Sequence, residues 1–139
     1  MHGEIRRTFS GSPWEDRYGY CRALRVRGLI YVTGTAPVAA DGSTHAPGDA
    51  YAQTMRCFEI IERAMRGLGA DRASIVRTRL FVTDIARSDE FGRAHRDFFG
   101  THRPCTTMVE VRALIRPDML VEIECDAVAS ERVTADEGW

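Results

Sequence analysis

Residues 120–128 read Leu-Val-Glu-Ile-Glu-Cys-Asp-Ala-Val, and no stretch of the chain constrains the fold more. Val121, Ile123, Cys125 and Ala127 fall on one side of a period of two, and Glu122, Glu124 and Asp126 fall on the other. Strict alternation of this kind specifies a β-strand with one apolar face. Same-face neighbours in a strand lie about 6.5–7 Å apart. Three adjacent carboxylates at that spacing repel one another, which raises a pKa unless cations answer them. Two readings follow. Either the acidic face pairs across strands with Arg77 and Arg79, or one glutamate lines a cleft and serves as a general acid or base.

The rest of the chain supplies partners for this strand. Ala23–Val26 and Leu29–Thr33, joined by Arg27–Gly28, read as a hairpin. Residues 36–48 are rich in Ala, Pro, Gly, Asp and Ser and form a long loop. Asp49 opens a helix in which Tyr51, Met55, Phe58, Ile61, Met65 and Leu68 share a face and Gly67 and Gly69 mark the end. Ser74–Asp84 alternates as a strand, with Val76, Thr78, Leu80 and Val82 on one side and Arg77 and Arg79 on the other. A second helix runs from Ser88, read as its N-cap, to Phe99, and Gly100 stops it. Strands at Thr106–Val111 and Leu120–Val128 follow, connected through Pro117–Asp118. The order β-β-α-β-α-β-β predicts an α+β architecture, one sheet with two helices on one face. The other face is too apolar to stay wet, so other subunits are expected to cover it.

Composition narrows the chemistry. All 19 basic residues are arginine, and the chain has neither lysine nor asparagine. That excludes Schiff-base and P-loop lysine chemistry and N-glycosylation. A length of 139 residues fits one domain. A net charge of −1 with scattered arginines argues against nucleic acid as a partner. Cys21, Cys57, Cys105 and Cys125 form no CxxC pair and are expected as reduced, mostly buried thiols. Residues 1–12 carry charge without an apolar run, and no segment has the ~20 apolar residues of a membrane span, so a cytoplasmic protein without a membrane partner is expected. His95 sits between Phe91 and Phe98 and reads as structural. His45 and His102 fall in loops and His2 is terminal, so no metal site is assigned.

The segments Arg103-Pro-Cys-Thr-Thr-Met-Val-Glu-Val111 and Pro117-Asp-Met-Leu-Val-Glu-Ile-Glu124 resemble the C-terminal signature of the Rid (reactive intermediate deaminase, YjgF-like, L-PSP endoribonuclease-like) family. Tyr20, the stretch Tyr31-Val-Thr-Gly-Thr-Ala-Pro37, the helix through Met55 and Phe58, and Leu80-Phe-Val-Thr-Asp84 share the likeness. It spans residues 18–129 of a domain taken as 1–139, leaving 130–139 as a loose tail. The resemblance implies a chorismate-mutase-like subunit, a homotrimer with a small-molecule ligand in each inter-subunit cleft, and cofactor-independent hydrolysis of enamines or imines to a carbonyl compound and ammonia. It places the cleft tyrosine at Tyr20, the hydroxyl residue at Thr33 before Gly34, and the water-activating glutamate at Glu122. Where active deaminases carry an arginine that forks onto a substrate carboxylate, this chain has Thr106, and two residues on it has Met108. A hydroxyl cannot replace a bidentate guanidinium. The chain thus resembles an arginine-lacking branch, in which 2-imino-acid deamination is altered or lost unless Arg103 or Arg112 substitutes. A non-catalytic metabolite-binding trimer is the alternative, and endoribonuclease activity, an annotation attached to this family, is the third reading.

Overall fold

The hairpin forms where the sequence puts it. In a computed structural model describing residues 3–130, strand β2 (Ala23–Val26) pairs antiparallel with β3 (Leu29–Thr35). Arg27 in the turn takes φ +56°, and a Cβ at Gly28 would come within 3.0 Å of the Ala129 carbonyl oxygen. Two elements precede this hairpin that alternation did not reveal: strand β1 (Ile5–Thr8) and helix α1 (Pro13–Tyr18). β1 is mostly exposed and holds its place by pairing with β2. Helix α1 starts with Ser12, whose hydroxyl accepts from Trp14 N–H, and ends at Gly19 with φ +74°.

Helix α2 (Ala50–Arg66) is capped by the Asp49 carboxylate, which accepts from Ala52 N–H at 2.9 Å. Phe58, Ile61, Met65 and Leu68 are buried against the sheet, as their spacing requires. Strand β4 (Ile75–Val82) departs from simple alternation. Its register with the last strand slips between Ile75 and Arg77, so Ile75 is buried and Val76, expected inward, is 44% exposed. Helix α3 (Ser88–Phe99) begins at Ser88, but Ser88 is not its N-cap; that position is Arg87, which makes no side-chain cap bond. The chain enters α3 from a short 3₁₀ turn, Ile85–Arg87, whose own cap is Asp84, so a separate stop and start is unnecessary.

Strands β5 (Cys105–Glu110) and β6 (Val121–Val128) complete a six-stranded sheet in the order β1-β2-β3-β6-β4-β5. Every pairing is antiparallel except β4–β5, where α3 supplies the crossover that parallel neighbours need. β6 therefore lies in the middle and β5 at the rim. Val121, Ile123, Cys125 and Ala127 are buried under α2, and Glu122, Glu124 and Asp126 are half-buried on the other face. That face leaves Leu29, Tyr31, Val109 and Val128 each over 40% exposed in the isolated chain. The architecture is α+β and chorismate-mutase-like, with α1 and β1 added to the expected order. The tail expected to be loose lies, beyond Ser130, outside the described residues. All four cysteines are free thiols.

Candidate functional site

The three carboxylates of β6 do not share one fate. Asp126 receives Arg79 Nη1 at 3.3 Å and Arg77 Nε at 3.9 Å, and Glu124 lies 3.7 Å from Arg79. Cross-strand pairing thus accounts for two of the three. Glu122 stands opposite Phe81 instead, and among the described residues no arginine lies within ion-pair distance of it. Burial pushes its carboxyl above the ordinary range, the guanidinium of Arg22 pulls it back, and Glu124 adds to the rise.

Backbone irregularity makes room for that carboxylate. Val32 pairs with Cys125 and Thr35 with Ile123, so Thr33 and Gly34 together face Glu124 alone: a β-bulge in β3. Glu122 lies against the bulge so closely that a Cβ at residue 34 would overlap its Oε2. The hydroxyl of Thr33 donates to the Cys21 carbonyl at 2.8 Å, which leaves its lone pairs as the groups it can offer a ligand.

Arg22 is the site residue that motif reading missed. Only 7% exposed, it donates from Nη1 to the Gly34 carbonyl at 3.0 Å and to Thr35 Oγ1 at 3.3 Å, and its Nε lies 3.3 Å from Glu15 Oε2. Its guanidinium also faces the ring of Tyr20, 5.6 Å from the centroid. Glu15 comes from α1, where Ser10 donates to both of its carboxylate oxygens and its own carbonyl accepts Tyr20 N–H at 3.0 Å. The unpredicted helix is therefore the platform that holds Arg22 and Tyr20 beside the bulge. A sequence signal existed, Ser12-Pro13 at one end and Gly19 at the other, but six residues carry no readable periodicity.

Tyr20, Thr33, Gly34 and Glu122 are thus grouped around one bulge. Thr106 and Met108 are not with them. Both pair with β4 residues on the helix-facing side, Thr78 and Leu80, whereas Glu122 shares its face with Phe81. Met108 packs against the core, and exposed Thr106 accepts a hydrogen bond from Thr78 Oγ1 at 2.7 Å. Within one chain the edge-strand positions and the glutamate occupy opposite faces. Arg103, in the loop before β5 with φ +53°, and Arg112, just after β5, are both exposed. His95 has a polar partner as well as aromatic ones: its Nε2 lies 2.8 Å from Thr78 Oγ1, beside Phe58 and Phe99.

Among the described residues no group of three or more His, Cys, Asp or Glu side chains is arranged to hold a metal ion. None of their helices is long and apolar enough to cross a membrane. The chain is similar to proteins of one family. A family model described as Endoribonuclease L-PSP matches residues 14–129. An uncharacterized protein of Streptomyces coelicolor, SCO2049, is 35% identical over 123 residues, 88% of this chain and 91% of its own length. The 3-aminoacrylate deaminase RutC of Acinetobacter baylyi is 28% identical over 104 residues, 75% of this chain and 82% of its own. The crystal structure of Rv2704 from Mycobacterium tuberculosis, a member of the YjgF/YER057c/UK114 family, superposes with a TM-score of 0.82 at 44% identity, covering 91% of this chain and all of the other. The Rid-family protein YyfA of Yersinia pestis follows, with a TM-score of 0.78 and 28% identity over 91% of this chain and all of that one. With the family model spanning most of its length and these likenesses beside it, the chain belongs to the endoribonuclease L-PSP family, also called Rid or YjgF.

Proposed function

We propose that this chain is a single Rid-like domain that assembles as a cytoplasmic homotrimer and hydrolyses the C=N bond of enamines or imines, without a cofactor, in clefts between subunits. The observation that carries the reading is the isolation of Glu122: its two neighbours on β6 are neutralised by arginines, while it alone sits half-buried against a bulge. A carboxylate kept free and raised in pKa is suited to take a proton from water. Attack of that water on the imine carbon forms the C–O bond as the C=N π pair moves to nitrogen, and Glu122 holds the proton released. Returning that proton to nitrogen gives the carbinolamine, and Glu122 then relays the hydroxyl proton to nitrogen as the C–N bond breaks, which forms the carbonyl and expels ammonia. Thr33, with only lone pairs to offer, accepts from the substrate N–H, and Tyr20 and Gly34 border the same space. The similarity to a 3-aminoacrylate deaminase supports this reaction class. The exposed apolar residues of the helix-free sheet face support a trimer that buries them.

Thr106 argues that 2-imino acids are poor substrates. Losing one charge-assisted contact to a carboxylate costs about 1.5–3 kcal/mol, roughly 10–150-fold. The same substitution supports the second reading, a trimer that binds a metabolite without turning it over. Ribonuclease activity has less support, since Arg77 and Arg79 are occupied by neighbouring carboxylates. Imines generated in situ by an amino-acid oxidase and by an amine oxidase test these readings together. Acceleration of the carboxylate-free imine, lost in Glu122→Gln, is expected. If neither imine decays faster and the substitution has no effect, hydrolysis is rejected, and ligand-dependent thermal stabilisation without turnover then identifies a binding protein.

A further inference from the structure

Thr78 is fully buried, and its hydroxyl touches two side chains: His95 Nε2 at 2.8 Å and Thr106 Oγ1 at 2.7 Å. A hydroxyl has one hydrogen, so in the arrangement where Thr78 gives it to Thr106, His95 donates from Nε2. The three groups then form a directed chain, His95 to Thr78 to Thr106. At its far end the Thr106 hydroxyl accepts from within and has no acceptor for its own hydrogen among the described residues. Thr106 is exposed on the rim strand, where a ligand can reach it.

We infer that His95 and Thr78 are positioning residues that fix Thr106 as a hydrogen-bond donor at the β5 edge, and that this donor selects a ligand with an uncharged carbonyl oxygen in place of a carboxylate. Hydrogen bonds in series polarise one another, so a neutral hydroxyl at the end of such a chain is a better donor than a solitary threonine. It still offers one hydrogen and no charge, which suits a ketone, amide or ester oxygen and leaves a carboxylate largely uncompensated. A purely packing role for His95 needs none of this: the aromatic contacts with Phe58 and Phe99 would remain with either tautomer. The inference extends the hydrolase reading by naming the class of substrate, an imine or enamine next to a neutral carbonyl, and rests on that reading only for turnover.

Nitrogen-15 spectroscopy of the histidine rings separates the two. His95 is expected as the Nε2–H tautomer in the intact protein. Propionamide is expected to shift its ring signals, propionate at equal concentration to shift them at least about fivefold less, and Thr106→Val to abolish the response while the protein stays folded. Thr78→Val is expected to uncouple the ring from the ligand in the same way. An Nδ1–H tautomer, equal responses to both probes, no response at all, or a response unchanged in Thr106→Val overturns the inference. Turnover provides the independent arm: Thr106→Val lowers kcat/KM for an amide-bearing imine about tenfold. Failure of every imine to turn over with the amide response intact rejects the hydrolase reading and leaves the donor site standing.

Discussion

Gly34→Ala separates the architecture of the bulge from its chemistry. Gly34 does not have a positive φ, so alanine meets no backbone penalty there. The only severe overlap is with Glu122 Oε2; the Cδ and Cγ of Glu122, at 3.4 and 3.7 Å, are ordinary contacts. The methyl group therefore displaces the carboxylate tip by about 1 Å and asks nothing of the main chain. Replacing glycine in a strand contributes about 0.5–1 kcal/mol through the unfolded state, which offsets the cost of rotating an unpaired side chain. Net stability should change by less than about 1 kcal/mol, a few degrees in Tm for a domain of this size. Activity should behave differently, because a general base moved by 1 Å from its working position loses on the order of 10²-fold in rate. Urea unfolding beside initial rates of imine decay gives both quantities from one preparation. Unchanged activity would show that Glu122 does not act from this position. A loss of more than about 3 kcal/mol would show that Gly34 serves the fold itself.

The raised carboxyl of Glu122 predicts that activity climbs with pH through a midpoint above 4.5, while stability falls over the same interval because burial favours the protonated form; Glu122→Gln should remove both slopes in rate and unfolding profiles. Glu62 has the opposite sign. Its hydrogen bonds from Arg72 hold it below its ordinary value, so its contribution is complete above pH 4.5 and disappears as the pH falls below that, which acid unfolding will register. Arg72→Ala, which leaves that nearly buried carboxylate with only Arg66 at 3.6 Å and a backbone N–H, and removes the guanidinium 4.0 Å from the Phe98 ring centroid, should cost about 1.5–3 kcal/mol by chemical denaturation. Among the thiols, exposed Cys105 should react first with a disulfide reagent, whereas Cys57 and Cys125, the latter pushed up to about 12 by burial, should stay silent until unfolding.

Elements long enough to express a period were legible in the sequence: the alternation of β6, the apolar stripe of α2 and the hairpin at Arg27–Gly28 all fall where their residues place them. What escaped was set by contacts remote in sequence. Val76 is turned outward by a slip of β4 against β6, a fact of pairing that β4 alone does not carry. β1 is too short and too polar to alternate, and exists because β2 has a free edge. Arg22 looked like one of several scattered arginines; its burial depends on Glu15, and Glu15 is in place because Ser10 and α1 hold it. The grouping of Tyr20, Thr33, Gly34 and Glu122 was readable from motifs, but the opposite facing of Thr106 emerged only once β5 was paired parallel to β4.

The sheet order also divides the molecule by how freely it can change over generations. Glu122 belongs to a strand hydrogen-bonded on both flanks, between β3 and β4, so altering its surroundings disturbs half the sheet. Thr106 sits on a marginal strand with one flank open and its side chain exposed, so a replacement there disturbs little beyond its hydroxyl contact with Thr78. Under the proposed hydrolase reading, reaction type is anchored in the interior and choice of substrate is left at the border. A scaffold partitioned this way can drift from one ligand to another by single replacements at its rim, and its descendants would look alike in overall shape while differing in what they accept.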